Sequence, residues 1–283
     1  MTKFRQIGII GSGRVARALA LGFAPHSEKG VRLWARSHGK AVTAAEDAGA
    51  VAVSEMIEVA RGCDLVAIAV ADDALTTVIA DLAKTMPVAA TAFVFHVSGG
   101  SGASVLDPLR STEVLTAAIH PAMTFTGDPV GEVRRMADAR FAVTGSSPEA
   151  TGQARHIVGL LRGIAVDVSE ERRPLYHAAL CHASNHLVTL MAGASHALAR
   201  AGIDEPAALL APLVRAALEN SLERGFAALS GPILRGDDQT VYAHLDALQT
   251  WDADLLPAYR AMALATLDEL GRKDPSELRR KLD

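Results

Sequence analysis

The chain has 283 residues, of which 49% are hydrophobic and 21% charged, so we expect a sizeable core in one large or two modest domains. The net charge of −4 comes without a long basic block, which argues against nucleic acid as a partner. The two cysteines, Cys63 and Cys181, cannot form a disulfide framework or a CxxC metal site, and the first residues lead directly into a predicted strand with no room for a signal peptide. We therefore expect a cytoplasmic protein.

A strand, a glycine-rich turn and a helix open the chain. The apolar run 7–10 predicts the strand, residues 11–16 (GSGRVA) form a G-x-G-x-x-A turn, and an apolar-periodic segment predicts the helix. The first glycine permits a tight turn, and the second lets the backbone approach a pyrophosphate at the helix N-terminus. We expect a dinucleotide site formed by Gly11, Ser12, Gly13, Arg14 and Val15. The alternative is a turn that only connects strand and helix.

The second predicted strand, residues 31–35, favours NADP over NAD. An NAD-binding protein usually carries Asp or Glu after this strand, where the carboxylate binds the ribose 2′-hydroxyl. Here Arg36 and Ser37 follow, with Lys40 nearby, and an arginine can bind a 2′-phosphate through charge-assisted hydrogen bonds. The alternative is a solvated basic turn.

Strand and helix patterns alternate up to residue 168, and long helical patterns follow. Further strands are predicted at 51–53, 64–70, 91–97, 115–119, 140–144 and 164–168, with a helix at 148–161. Val70, at the end of the 64–70 strand, is expected to line the cofactor site. We predict an α/β Rossmann-type doubly wound sheet followed by an all-α C-terminal domain. The dinucleotide-binding domain would span residues 1–168, and a helical substrate and dimerisation domain residues 169–283.

Polar side chains follow two of these strands at their carboxyl ends, where open α/β sheets bind ligands. Ser98 begins a Ser-Gly-Gly turn, whose hydroxyl and backbone N–H groups can face a carboxylate; the alternative is a plain flexible turn. His120 ends the next strand and precedes a proline, so it can donate a hydrogen bond or a proton to a carbonyl oxygen. The alternative is a histidine satisfied locally by backbone groups.

A helix predicted to begin near Pro174 carries a second set of polar side chains. At 100° per residue, one narrow stripe of this helix holds His177, Cys181, Ser184, Asn185 and Val188. Serine and asparagine are poor helix formers, so their place in mid-helix favours a ligand carboxylate or carbonyl as their partner. The alternative is hydrogen bonding between helices.

Three features of the second half have less specific interpretations. Segment 178–199 has no formal charge and membrane-like length, but its histidines and small polar residues predict a buried helix and no membrane span. His182 and His186 lie one turn apart without an obvious third ligand, so we expect no metal. Arg235 can clamp an acidic substrate; alternatively it pairs with a nearby acid while Asp237 caps the next helix.

Over nearly its whole length, the chain resembles the family in which a Rossmann-like domain precedes a domain of unknown function, DUF2520. The segments that carry the resemblance are residues 11–16, 64–72, 120–125, 176–190 and 231–237. The wider 6-phosphogluconate dehydrogenase-like superfamily includes pyrroline-5-carboxylate reductase, the 3-hydroxyacid dehydrogenases and ketopantoate reductase. Its members pair an N-terminal NAD(P) domain with an all-helical domain, which often forms the dimer. The 3-hydroxyacid dehydrogenases use a Ser-Gly turn, like Ser98-Gly99, and a helix with a catalytic lysine followed by an asparagine, like Asn185; His177 or Cys181 occupies the stretch of that lysine.

The resemblance implies an NADPH-dependent reductase of a small keto acid, with ketopantoate as the leading substrate. His120 or His177 would donate the proton, and Ser98 and Asn185 would position the substrate, with Ser184 and Arg235 as further substrate contacts. One alternative is a pyrroline-5-carboxylate-type imine reductase. Another is a non-catalytic NADP-binding sensor or scaffold, since a fold does not fix a function. We also expect a homodimer through the helical domain.

Overall fold

One eight-stranded sheet organises the first half of the chain in the computed structural model, which describes residues 4–85, 92–110, 114–272 and 276–283. The strands are β1 (Ile7–Ile10), β2 (Val31–Trp34), β3 (Val51–Ala52), β4 (Leu65–Ile68), β5 (Phe93–His96), β6 (Leu115–Pro121), β7 (Arg140–Gly145) and β8 (Ile164–Asp167). Their order is β3-β2-β1-β4-β5-β6-β7-β8, and neighbours are parallel except for the antiparallel pair β6 and β7. The chain changes winding direction between β1 and β4, which places a crevice at the carboxyl ends of these strands.

Helices cover both faces of the sheet, because alternate residues of a buried strand point to opposite sides. The helices of the described residues are α1 (Arg14–Phe23), α2 (His38–Ala48), α3 (Met56–Gly62), α4 (Asp72–Thr85), α5 (Pro129–Met136), α6 (Pro148–Leu160), α7 (Arg173–Arg200), α8 (Pro206–Arg224), α9 (Pro232–Arg235), α10 (Asp238–Trp251), α11 (Leu256–Glu269) and α12 (Glu277–Leu282). Ile7 and Ile9 of β1 belong to one buried cluster with residues of α1, α2 and α6. Ile10 belongs to a second cluster with residues of α3 and α4.

This architecture confirms the predicted Rossmann-type sheet followed by helices. Every predicted strand is present, with shorter bounds for the 31–35, 51–53, 64–70, 91–97 and 164–168 predictions; of these residues, Thr91 lies outside the described ranges. The sequence pattern did not predict that β7 runs antiparallel to β6. Periodicity reports which residues of a strand are buried and not the direction in which the strand runs.

Two compact units are distinguished by backbone contacts, Met1–Cys181 and His182–Asp283. The division falls within α7, so it does not decide where the domains begin, and the boundary after residue 168 stays a prediction. The second unit has its own buried cluster, which is formed by α10, α11 and α12 and includes Val241, Leu267, Leu278 and Leu282.

The prediction that segment 178–199 is a buried helix is wrong for the single chain. The helix is present as part of α7, but the buried residue of α7 is Arg173, outside that segment, and Val188 is 70% exposed. The following helix, α8, has no buried residue at all. An uncharged composition favours burial, but a helix is buried only where another surface covers it. Within the described ranges, none of the helices has the length and hydropathy needed to cross a membrane.

Candidate functional site

The two glycines of the first turn have different structural roles. Gly11 has a φ of +134°, and a Cβ added there would overlap the carbonyl oxygen of Ala69, which follows β4. Glycine is therefore required at this position by both the backbone conformation and the close approach of a second strand end. Gly13 has an ordinary extended conformation, and a Cβ added there would meet nothing within 4 Å. The space beside Gly13 is thus open.

The N-terminus of α1 faces this open space with unpaired backbone donors. Gly13 is the N-cap of α1 and provides no side-chain cap, and the first helical hydrogen bond runs from the Arg17 N–H to the Gly13 carbonyl. The N–H groups before Arg17 have no partner inside the helix, and they lie at the positive end of the helix dipole. Such a helix N-terminus binds phosphate groups.

A cavity of about 810 Å³ begins at this turn and extends to the end of β2. The cofactor residues predicted from the sequence line it at Gly11, Ser12, Gly13, Arg36, Ser37 and Val70, together with Lys40. Arg36, Ser37 and Lys40 are exposed, and the acids on the cavity wall, Asp73 and Asp81, belong to α4 and not to the end of β2. The cavity therefore offers phosphate-binding groups at both ends of a volume that suits a dinucleotide.

A second cavity of about 350 Å³ adjoins the first and shares Gly13 and Val70 with it. Arg14, Val15, Val97 and Phe125 complete its predominantly apolar wall. Nη1 of Arg14 donates to the carbonyl oxygen of Phe125 at 3.1 Å, so this side chain positions the loop after β6. Arg14 thus lines this second cavity, while its guanidinium binds protein backbone, and its role toward a cofactor stays a prediction.

The Ser-Gly-Gly turn after β5 is fixed by His96. The Ser98 N–H donates to Nδ1 of His96 at 3.1 Å, and Nε2 of the same ring lies 2.8 Å from the Gly102 carbonyl oxygen. Nδ1 is therefore the acceptor and Nε2–H the donor, which describes a neutral imidazole. Burial lowers the pKa of His96 to about 4, in agreement with this tautomer. Ser98 is buried, and its Oγ accepts from the Ser101 N–H at 3.3 Å. The hydroxyl that was predicted to contact the substrate therefore also stabilises the turn.

Two imidazoles and a phenol meet beside this turn. Nδ1 of His120 lies 2.9 Å from the Tyr176 hydroxyl, and the His120 and His177 rings pack edge to face with centroids 5.8 Å apart. A Cβ added to Gly99 would lie 2.6 Å from Cδ2 of His177 and 3.0 Å from Nε2 of His120. The structure therefore brings both predicted proton donors together against the Ser98-Gly99 turn, within the first compact unit.

His120 is held in its neutral form. Burial is the main cause that lowers its pKa to about 4, and the charges of Arg173 and His177 act in the same direction. Above pH 4 its Nδ1 and the Tyr176 hydroxyl therefore share one hydrogen bond between neutral groups. His177 is half-buried, and its Nε2 lies 3.6 Å from Sγ of Cys181, one helical turn further along α7.

The other predicted substrate residues lie in the second compact unit. Oγ of Ser184 donates to Oδ1 of Asn185 at 3.2 Å, and Arg235 is exposed at the end of α9. Their roles toward a substrate stay predictions. Asp237 accepts a hydrogen bond from the Thr240 N–H at 3.2 Å and caps α10, as the alternative interpretation of that segment predicted. Nδ1 atoms of His182 and His186 lie 3.0 Å apart, and among the described residues no group of three potential metal ligands occurs.

Sequence reasoning missed three residues of this region, namely Arg173, Tyr176 and Phe125. Tyr176 has the spacing of the apolar face of its helix, and its hydrogen bond to His120 joins residues 56 positions apart. Arg173 precedes a proline at a helix start, where a charged residue ordinarily faces solvent. Of the three, only Phe125 could have been predicted to line the site, because it lies five residues after His120 at the same strand end.

The described residues of the larger cavity could bind the phosphate groups of a dinucleotide. The observations that support the fit are the open space at Gly13, the unpaired N–H groups of α1 and the basic residues after β2. A neutral or acidic wall at the α1 N-terminus or after β2 would have contradicted this fit. We therefore consider Gly13, Arg36, Ser37 and Lys40 the residues that would hold the cofactor.

Comparison with known proteins identifies the two parts of the chain. Residues 2–121 match the model of a Rossmann-like domain, and residues 139–266 match the model of the domain of unknown function DUF2520. No curated protein matches the chain. The two matches follow one another in the order that the motifs indicated, a Rossmann-like domain followed by DUF2520.

Solved structures share the fold at low sequence identity. Protein BF3122 from Bacteroides fragilis, provisionally named an NADP oxidoreductase, is 20% identical with a TM-score of 0.76, over 93% of this chain and 98% of its own. An imine reductase from Myxococcus stipitatus in complex with NADP⁺ is 15% identical with a TM-score of 0.66, over 98% and 100%. The 1-pyrroline-5-carboxylate reductase from Streptococcus pyogenes is 17% identical with a TM-score of 0.62, over 93% and 97%. These similarities establish the fold of the chain over nearly its whole length.

Proposed function

We propose that this chain is an NADPH-dependent reductase of a small carbonyl acid. The observation that carries the proposal is the cavity that joins the α1 N-terminus to Arg36, Ser37 and Lys40. Basic and hydroxyl groups in place of an acid after β2 suit a 2′-phosphate. The NADP⁺ complex of the Myxococcus stipitatus imine reductase supports the same cofactor.

NADPH would supply a hydride for the substrate carbonyl carbon, and the protein would orient the reactants and stabilise the developing oxyanion. Gly13, Arg36 and Ser37 hold the phosphates in this proposal. Val70, Val97 and Phe125 line the smaller adjoining cavity and give it an apolar wall. These roles use the crevice at the carboxyl ends of the strands, where doubly wound sheets bind their ligands.

His177 is the proton donor in this proposal, and His120 and Tyr176 are its neighbours. A low pKa leaves His120 neutral at pH 7, so an imidazolium that gives up its proton is not expected on that ring. One of the two groups can still donate to a carbonyl oxygen or an ordered water: Nε2–H of His120 when Nδ1 accepts from Tyr176, or the Tyr176 hydroxyl when Nδ1–H donates to it. Ser98 would contact the substrate from the turn that both histidines border.

The leading substrate is ketopantoate, which has a keto group and a carboxylate. The runner-up is a cyclic imine of the pyrroline-5-carboxylate type. Two structural neighbours that are named as an imine reductase and a pyrroline-5-carboxylate reductase favour this second candidate. Both reactions need the same cofactor cavity and a proton donor beside the strand ends.

Purified protein should be assayed for NADPH oxidation with a panel of 2-keto acids, including ketopantoate, and with cyclic imines. Turnover of keto acids supports the proposal, and turnover of imines alone replaces it with the runner-up. NADPH binding without turnover of any substrate would instead favour an NADP-binding sensor or scaffold. The Gly13→Val variant serves as the control for oxidation that does not depend on this site.

A further inference from the structure

Arg173, the first residue of α7, has no exposed surface. Its guanidinium donates to five acceptors at distances between 2.9 and 3.5 Å, which are Oγ1 of Thr144 and the carbonyl oxygens of Ser98, Gly99, Ala118 and Ala142. The acceptors belong to β6, to β7 and to the turn that follows β5. One side chain therefore ties the Ser98-Gly99 turn to two neighbouring strands.

Among the residues that the structure describes, no carboxylate forms an ion pair with this guanidinium. Glu170 is the acid whose charge acts on it, but that carboxylate accepts from the Ala103 and Ser104 N–H groups. Burying a charge costs free energy that a neutral side chain would avoid. A buried charge without a carboxylate partner therefore points to a role for Arg173 in the candidate site.

We propose that Arg173 is a positioning residue, whose unpaired charge and planar set of donors hold the Ser98-Gly99 turn and the His120 ring in their working arrangement. The turn matters because Gly99 borders both imidazoles, so a displaced turn would open space around His120 and His177. The catalytic meaning of this role rests on the proposed reductase function and deepens it. The arrangement itself does not depend on any reaction.

The groups around His120 support the electrostatic part of the role. They are Tyr176 and His177 on α7, Asp72 on α4, His96 on β5 and Arg173 itself. After burial, the charge of Arg173 is the largest cause that lowers the pKa of His120, and Asp72 acts in the opposite direction. A neutral side chain at position 173 should therefore let His120 take up a proton at higher pH.

The test is an NMR titration of the His120 ring in the full-length wild type and in Arg173→Lys, Arg173→Met and Arg173→Gln. Lysine keeps the charge and loses the planar donors, methionine removes both, and glutamine removes the charge but keeps some hydrogen bonding. We expect the pKa of His120 to stay near 4 in the wild type and in Arg173→Lys. In Arg173→Met and Arg173→Gln it should move upward towards the ordinary value of 6.5.

Equal titration midpoints of the His120 ring in the wild type and in the two neutral variants would overturn the proposal. An upward shift in Arg173→Lys as large as in Arg173→Met would also overturn it, because packing alone would then explain the effect. If neither neutral variant folds, amide exchange in Arg173→Lys decides the matter. The Ser101 N–H, which donates to Ser98, should then exchange at least tenfold faster than in the wild type, and an unchanged rate would contradict the positioning role.

Activity supplies a separate readout. In the reductase assay, Arg173→Met should lower kcat and shift the pH profile, whereas Arg173→Lys should lower kcat without shifting the profile. A wild type that reduces none of the tested substrates would refute the proposed function. The titration and exchange results would still decide whether Arg173 positions the turn and the histidine.

Discussion

Gly11 and Gly13 belong to one turn but should respond differently to substitution. Gly13→Val places a side chain in open space at the α1 N-terminus, so we expect a folded protein that no longer binds NADPH. Gly11→Ala must strain a φ of +134° and displace the Ala69 carbonyl, so we expect a loss of stability of at least about 1–3 kcal/mol. Thermal unfolding and NADPH titration of both variants separate the two effects. Unimpaired NADPH binding by Gly13→Val would remove the cofactor from this turn.

The charge at position 36 should determine the preference between the two nicotinamide cofactors. Arg36 lines the cavity at the end of β2 and is exposed, so a substitution there should not disturb the fold. Arg36→Glu places like charge at the 2′-phosphate and should weaken NADPH binding far more than NADH binding. Calorimetric titration with both cofactors measures the difference, and Arg36→Gln is the control that removes charge without reversing it. A wild type that prefers NADH, or equal weakening of both cofactors, would contradict the assignment.

His177 and His120 should contribute unequally to turnover. Removing the ring in His177→Ala should lower turnover by roughly 10²–10⁴, the usual contribution of general acid catalysis, with nearly unchanged NADPH affinity. His120→Ala should have a smaller effect, because His120 is neutral and bonded to Tyr176. Tyr176→Phe removes only the hydroxyl and is the matched control for that bond. A large loss in His120→Ala together with full activity in His177→Ala would reverse the assignment.

At the level of the element, the loop after β5 depends on the neutral state of His96. The pKa of His96 in the folded protein is about 4, against an ordinary value of 6.5. Between these values the unfolded chain binds a proton that the folded chain does not, so stability is complete above pH 6.5 and falls as the pH is lowered. The pKa of His120 is lowered in the same direction and adds to this loss.

Urea unfolding at pH 7 and pH 5 measures this dependence. We expect the free energy of unfolding to fall by about 2 kcal/mol for each of the two histidines over this interval. His96→Gln can keep an acceptor and a donor for Ser98 and Gly102 without titrating, so it should remove about half of this pH dependence. Equal stabilities of the wild type at the two pH values would show that these rings are not held neutral by the fold.

The elements themselves were readily predicted, because each buried strand is a short apolar run bounded by turn residues. The 7–10, 115–119 and 140–144 predictions coincide with or lie within β1, β6 and β7. That the glycine turn and the basic turn line one cavity could be anticipated because both signals are local, with glycines at fixed spacing and basic residues after the second strand. The cavity then joins these two local signals at one crevice.

The contacts between elements could not be predicted. The bond between His120 and Tyr176 joins residues far apart in sequence, as do the bonds from Arg173 to β6, β7 and the turn after β5. The spacing of Tyr176 along α7 does not distinguish it from the apolar residues of that helix, and no local rule predicts a fully buried arginine at a helix start. These contacts depend on which strands lie beside one another, and the residue pattern does not determine that order.

At the scale of the whole molecule, α8 carries exposed apolar residues on opposite faces. Leu209 and Leu213 lie on one face and are 53% and 67% exposed, and Leu218 and Leu222 lie on the other and are 45% and 79% exposed. A helix that is apolar on both faces is normally buried on both. We therefore keep the prediction of a homodimer through the helical region, with a large apolar interface of obligate character.

Light scattering should give twice the chain mass of 29.6 kDa at micromolar concentration. Leu213→Glu should shift the protein towards the monomer, because a carboxylate would be buried in the interface without a partner. Val130→Glu, at a residue of α5 that is 52% exposed, is the control for adding a charge to an exposed apolar position. A wild-type mass near that of one chain would refute the dimer.

If a second chain covers α8, folding and assembly become a single equilibrium. The melting temperature would then rise with protein concentration, as it does when any partner binds only the folded state. Dilution would act as a mild denaturant, and a chain newly made at low abundance would expose apolar α8 faces that other unfolded chains can bind. The fraction of chains that are folded and active in the cell would therefore rise with the expression level and would not be set by the stability of the single chain alone.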